Sequence, residues 1–329
     1  MNPTFDRNSV SRKRRGPWEP SRVKRNLLPI EKVTLAYIAV TALLAVLLWG
    51  RMQHPVSLLL WRTGFLAVMA GLYVFHRRRP CRATRLLRSF FPIALTAYWY
   101  PDTYDFCQAF QNQDHVFASF EHLVFLDQPS ISFPRALSGT FWRELFNLGY
   151  FSYYPLIAVT LFLPLQKNRR LFEKTAFIIL ASFLLYYLIY LFLPVAGPQY
   201  YFQAVGVPNI MAGRYPALGD YFRTHAELTG VPVPSGFFSW LVHVMQSAGE
   251  RPTAAFPSSH VGISTILMIL LYRHNRGTYY VALPFYVLLC LSTVYIGAHY
   301  LIDVAGGLLS GGLFYYMTRY YYSELHTRG

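Results

Sequence analysis

Two short stretches gather the side chains able to do nucleophilic or acid–base chemistry. FPSSHVGI (256–263) places Ser258, Ser259 and His260 at the start of an apolar run, and GAHYLIDVAGG (297–307) places His299 and Asp303 at the start of another. His299 and Asp303 are four apart, which puts them on one face of a helix. Asp303 then accepts a hydrogen bond from one ring nitrogen of His299 and leaves the other a free lone pair, the pairing of base and orienter that activates a nucleophile. A carboxylate near a membrane helix end is costly unless paired, so a partner is expected. Ser258 and Ser259 stand where a helix N-cap belongs. The free N–H groups and positive dipole end there suit a phosphate. The chemistry these residues point to is phosphoryl handling, with an anion site, a histidine nucleophile and a histidine acid.

The elements that must position them are membrane helices. The 329 residues are 54% hydrophobic and 14% charged, with a mean hydropathy of +0.27. A soluble domain is nearer a quarter charged. We read an all-α polytopic protein with eight spans near 33–50, 57–75, 89–104, 146–164, 174–194, 258–272, 278–297 and 300–321. The segment 130–145 (SISFPRALSGTFWREL) is too polar and short to cross and reads as one helix lying in the interface. The net charge of +15 does not point to nucleic acid, because the basic residues cluster between apolar runs. With the N-terminus inside, 23 of the 30 lysines and arginines fall on cytoplasmic segments. The other seven are Arg51, Arg62, Arg135, Arg143, Arg214, Arg223 and Arg251. That bias puts both termini in the cytoplasm. The polar, basic N-terminus shows no cleavable signal. Cys81, Cys107 and Cys290 fall on different sides or depths and form no disulfide framework.

His260 opens a span running inward, RHNRG turns it, and the next span returns outward just before His299. Two passes therefore bring both histidines to the outer ends of neighbouring helices at similar depth. The external segments around 102–145 and 195–255 are long enough to carry a task of their own.

FPSSH followed by GAHYLIDVAGG resembles the type 2 phosphatidic acid phosphatase superfamily, whose pattern is K-x6-R-P, then P-S-G-H, then S-R-x5-H-x3-D. Pro257-Ser258-Ser259-His260 matches the second part. Ser292, His299 and Asp303 match the third, with Thr293 in place of its arginine. The first part is not recognisable; LPVAGPQYYF (193–202) stands nearest its place. The missing arginine, the HYxxDVxGG continuation, DHVFASFEHLVFLDQPS (114–130) and YFSYYPL (150–156) are similar to the inositol phosphorylceramide synthase branch. The resemblance covers roughly 90–320 and is dense only at 256–263 and 292–307.

It implies a six-helix core over 89–322 with an extracytoplasmic site, His299 as nucleophile, His260 as general acid, Asp303 as orienter, and no metal or other cofactor. A basic tail (1–30) and two N-terminal helices with a basic loop (31–88) precede that core, and a cytoplasmic tail (323–329) follows it. The substrates expected are membrane lipids: a phospholipid donor, and either a lipid hydroxyl such as that of ceramide or water as acceptor. The location expected is a bacterial inner membrane.

Arg251 clamps phosphate in place of the missing arginine, or is an ordinary loop residue. Gln199 and Tyr200 bind phosphate, or belong to a turn with interfacial aromatics. Asp114 and Glu121 bind a polyol hydroxyl, or cap an external helix. The other eight histidines read as surface or interface residues, and the many Tyr and Phe mostly as lipid-facing belts. Three alternatives stay open: a lipid phosphate or polyprenyl pyrophosphate phosphatase, an ion or proton-coupled transporter, and a metalloenzyme with His260, His299 and Asp303 as ligands.

Overall fold

The computed structural model describes residues 26–227 and 236–327, and among them there is no strand. The basic tail expected over 1–30 lies, up to residue 25, outside the described residues. The helices are α1 (Pro29–Leu47), α2 (Pro55–Arg78), α3 (Arg82–Ala94), α4 (Thr96–Cys107), α5 (Asp114–Phe125), α6 (Pro129–Ala136), α7 (Thr140–Phe151), α8 (Tyr153–Lys167), α9 (Arg169–Phe192), α10 (Pro198–Val205), α11 (Val207–Met211), α12 (Phe237–Gly249), α13 (Ser259–His274), α14 (Arg276–Tyr295) and α15 (Leu301–Thr327). Five stretches are long and apolar enough to cross a membrane: α1, α2, α7–α8 taken together, α9 and α14. Their outward faces carry exposed residues such as Leu43, Leu60 and Val281, as a membrane protein's must. The other three runs read as spans fall on α3–α4, which is broken at Leu95, on α13 and on α15. α15 continues to Thr327, past the expected boundary at 322.

The turns follow local chemistry. Asn168 accepts from the amides of Arg170 and Leu171 to start α9, and Asn275 accepts from Thr278 to start α14. The segment 130–145 is not one interfacial helix. It holds α6 and the first half of α7, separated where Gly139 takes a φ of +108° that a side chain would resist.

α13 is the centre of the bundle. Ten of its sixteen residues are buried, on every face, against α8, α9, α14 and α15. Its approach to α15 depends on small residues. A Cβ on Gly307 would sit 2.6 Å from the Ser258 carbonyl oxygen, and one on Gly311 would sit 2.6 Å from that of Gly262. The two backbones therefore touch, the geometry that glycines four apart permit between membrane helices.

Two ion pairs attach the N-terminal helices. Arg62 of α2 holds Asp102 of α4 through two hydrogen bonds, at 2.7 and 3.2 Å, and also bonds the Thr41 hydroxyl of α1. Arg88 of α3 holds Glu31 of α1 at 2.6 Å. Both arginines are buried and serve as internal fasteners, not surface charges; leaving them out of the lysine and arginine count does not alter its bias. His76, read as a surface residue, is buried with Nδ1 at 2.7 Å from the Thr84 hydroxyl.

The described parts of the long segments 102–145 and 195–255 roof one end of the bundle. Asp114 Oδ1 accepts from the Gly197 amide and the Tyr300 hydroxyl, at 2.8 and 3.0 Å, and its Oδ2 from the Ala196 amide at 2.6 Å. Glu121 Oε1 accepts from the Leu301 and Ile302 amides, so it caps α15 from outside that helix. Both acids thus hold backbone amides, Glu121 at the start of α15 and Asp114 in the turn before α10, and neither caps an external helix as the second reading had it; together they tie the roof to the start of α15.

Glu121 yields a pH prediction. Burial, with the fields of Asp303 and Asp127 adding to it, pushes its carboxyl up to about 8, against the pull of the two amides. The folded protein therefore holds a proton that the unfolded chain releases above about 4.5. Stability from this group is full below that pH and is lost as pH rises towards about 8. In thermal melts, Glu121→Gln should flatten that slope and keep the cap, whereas Glu121→Ala should flatten it too and cost about 1 kcal/mol below about pH 4.5, where the wild-type carboxyl is neutral folded and unfolded.

Candidate active site

α13 and the turn before α15 bring His260 and His299 together, with ring centroids 5.7 Å apart at 62°. The turn forms because Gly297 adopts a φ of +75°, and the His299 amide then closes on the Thr293 carbonyl at 3.0 Å. Thr293, which replaces the pattern's arginine, is buried with its hydroxyl on the Cys290 carbonyl.

His299 Nδ1 lies 2.8 Å from the Ala255 carbonyl. A carbonyl can only accept, so Nδ1 carries the proton and Nε2 is the free lone pair. The orienting acceptor is therefore that carbonyl. Asp303 Oδ2 is farther, at 3.5 Å, and accepts from the Tyr300 amide at 2.8 Å. The expected sharing of a helical face does not arise, because His299 precedes α15 while Asp303 belongs to its first turn. Asp303 is fully buried, and its Oδ1 has no hydrogen-bond partner among the described residues. Burial pushes the His299 imidazole down to about 4, while the Ala255 carbonyl and the Glu250 charge pull the other way. At neutral pH the ring is uncharged.

His260 sits between two tyrosine rings, Tyr150 at 4.8 Å and Tyr153 at 4.6 Å. Both tyrosines are buried inside the bundle, so neither belongs to a lipid-facing belt. Ser258 caps α13, its hydroxyl accepting from the Val261 amide at 3.4 Å, and its own amide donates to the Asp303 carbonyl oxygen at 3.1 Å. The Ser259 amide donates to the Tyr190 hydroxyl at 3.0 Å. The cradle of free amides expected at these serines is thus partly occupied from within the fold.

Gln199 is brought to the site, but its amide group is engaged. Nε2 donates to Glu250 Oε2 at 2.8 Å, and Oε1 accepts from Gln246 at 3.3 Å. Tyr200 is buried against Phe222. Arg251 directs Nη1 to the Glu250 carbonyl oxygen at 2.9 Å.

Sequence reasoning missed Glu250. Its carboxylate accepts from the Tyr150 hydroxyl at 2.9 Å and from Gln199, joining the ring that stacks on His260 to the residue whose amide holds Gly297. The available signal was its place beside Arg251, the residue read from the sequence as a phosphate clamp. Among the described residues, no cluster of three or more His, Cys, Asp or Glu side chains converges as a metal-ion site would require.

No curated protein and no solved structure gives a significant match to the chain. The sequence profile of the PAP2 superfamily matches residues 115–317, a range that runs from the roof helix α5 to α15 and includes both histidines. That range covers well over half of the 329 residues, and the chain belongs to the PAP2 superfamily, whose chemistry is phosphoryl hydrolysis or transfer on lipids.

Proposed function

We propose that the protein is an integral-membrane lipid phosphotransferase working through a phosphohistidine at the extracytoplasmic face. The observation that carries this reading is His299 held by Nδ1 on the Ala255 carbonyl, with Nε2 free and His260 beside it. The Nε2 lone pair forms a bond to phosphorus while the P–O bond to the leaving group breaks. The leaving oxygen keeps that electron pair and takes a proton from His260. An acceptor oxygen then attacks phosphorus and passes its proton to His260, and the N–P pair returns to His299. Asp303 supports the positive charge that the ring acquires. Ser259 and Arg251 contact phosphate oxygens, while Ser258, Gln199 and Tyr200 act by holding the frame.

The favoured reaction moves a phosphoinositol-like headgroup to a lipid hydroxyl such as that of ceramide. Support comes from Thr293 in place of arginine and from the 114–130 and 150–156 stretches. The chain then spans a bacterial inner membrane eight times with both termini cytoplasmic, as its lysine and arginine distribution supports. Purified protein given labelled phosphatidylinositol with and without ceramide tests this. A ceramide-dependent phosphoinositol sphingolipid is the expected product. Phosphate released from simple lipid phosphates, indifferent to ceramide, makes water the acceptor and the protein a phosphatase.

The pH profile gives a second check. Attack needs neutral His299, so kcat/KM should hold down to its depressed value and fall only below about pH 4. An acid limb at an ordinary histidine value would count against a buried neutral nucleophile.

A further inference from the structure

The charge beside the two histidines is unusual for a site that must hold an anion. The charged side chain acting on His299 is Glu250, and its hydrogen-bond partners Tyr150, Gln199 and Gln246 are all neutral. Among the described residues it makes no ion pair. Arg251, next in sequence, gives its Nη1 to the Glu250 backbone carbonyl and not to the carboxylate. Asp303 adds a second acid 3.5 Å from His299. Glu250 is half-buried, so it stands at the wall of the site and not in the packed core. Burial pushes the Glu250 carboxyl up, and the three neutral donors, which suit an ionised carboxylate that can only accept, pull the other way.

We propose that Glu250 selects the charge of the phosphate the site turns over: a phosphodiester, with one negative charge, is accepted, and a phosphomonoester, with close to two at neutral pH, is turned away. The inference rests on the His299 reading above and narrows its substrate class. One fixed negative charge in a partly desolvated wall acts on each charge of the ligand, so the second charge of a monoester meets repulsion that a diester lacks. Arg251 offers one compensating cation, enough for a monoanion. A phosphatase for simple lipid phosphates would need the opposite balance.

The test uses two lipids with the same tails, dioctanoyl phosphatidylmethanol and dioctanoyl phosphatidic acid. Attack on either releases dioctanoylglycerol, which is the readout. At about pH 7.5, where the monoester is mostly dianionic, the wild-type kcat/KM should favour the diester by about tenfold or more. Glu250→Gln keeps the shape and one acceptor oxygen for Gln199, with its amide nitrogen donating to the Tyr150 oxygen in a reversed bond, and should shrink that preference about tenfold, chiefly by raising the monoester rate.

A folded Glu250→Gln protein with an unchanged ratio overturns the proposal. A wild-type preference for the monoester overturns it without any variant. Should Glu250→Gln fail to fold, the wild-type ratio near about pH 5, where the monoester has gained a proton, decides. His260, His299, Tyr100, Tyr150, Tyr154, Tyr200 and Arg251 surround Glu250; His299, pushed down to about 4, stays largely neutral near that pH, and a proton taken up by Glu250 itself, whose carboxyl burial raises, relieves the same repulsion. The ratio should then close towards unity; a ratio that stays open overturns the proposal. Release from neither lipid overturns both this and the phosphotransfer reading, whereas release without charge preference overturns this one alone.

Discussion

His299→Ala should lose at least about 10⁴-fold in turnover while melting like the wild type, because the covalent route disappears with its nucleophile. His299 has little else to do. Its ring makes one hydrogen bond, to the Ala255 carbonyl, and packs near His260. His260→Ala should retain more, losing about 10²–10⁴-fold, since general acid catalysis contributes that much. It should also respond to the leaving group: a donor that departs without protonation should recover most of the lost rate. A labelled donor should mark wild-type protein with an acid-labile phosphoryl group and leave His299→Ala unmarked. Full turnover by His299→Ala would end the proposed mechanism.

The second large effect is expected far from any reacting atom. A methyl group on Gly307 would meet the Ser258 carbonyl at 2.6 Å and Val261 Cβ at 3.0 Å, and a carbonyl already accepting from the Gly262 amide cannot swing aside. Gly307→Ala should therefore push α13 from α15. The cost in stability should be about 1–3 kcal/mol. The larger loss should be in turnover, about 10²-fold, because Ser258 leads directly into His260 and a misplacement of about 1 Å costs that much. Gly312→Ala is the internal control. No atom lies within 4 Å of its would-be Cβ, so that variant should melt at or above the wild-type temperature with normal turnover. Thermal unfolding in detergent and a steady-state assay on the three proteins check both claims. Equal behaviour of Gly307→Ala and Gly312→Ala would show that the helix contact does not position the site.

The parts of this molecule legible in its sequence are those written in long periods. Apolar runs located the long helices, and counting passes put His260 and His299 at the ends of neighbouring helices, where their rings meet. The parts that were not legible depend on backbone groups or on folding of the external segments. The acceptor for His299 Nδ1 is the carbonyl of Ala255, and a carbonyl leaves no trace in residue type. Asp303, an acid four residues on, offered the obvious partner and turned out to serve the Tyr300 amide. Glu250 reaches the site because α12 ends against Tyr150, a contact between segments about 100 residues apart that no local pattern announces. Tyr150 and Tyr153 looked like their many lipid-facing neighbours, and only packing separates them from the rest. Asp114 and Glu121 drew attention as acids in an external segment, but both work on backbone amides, which gives them a mechanical role.

The ion pair between Arg62 and Asp102 has a consequence for where this protein can be divided. The family match begins at residue 115, and the first two helices look like an optional prefix to a finished enzyme. The charges say otherwise. A chain starting after α2 would lose the guanidinium that holds both Asp102 oxygens, on a helix where that acid is otherwise packed among apolar neighbours. An orphaned acid of that kind costs about 3–5 kcal/mol, more than most single core mutations. The first two helices are thus joined by a buried ion pair to α4, which in turn packs on α9 of the matched region, so a chain cut between α2 and α3 should be less stable by about that amount.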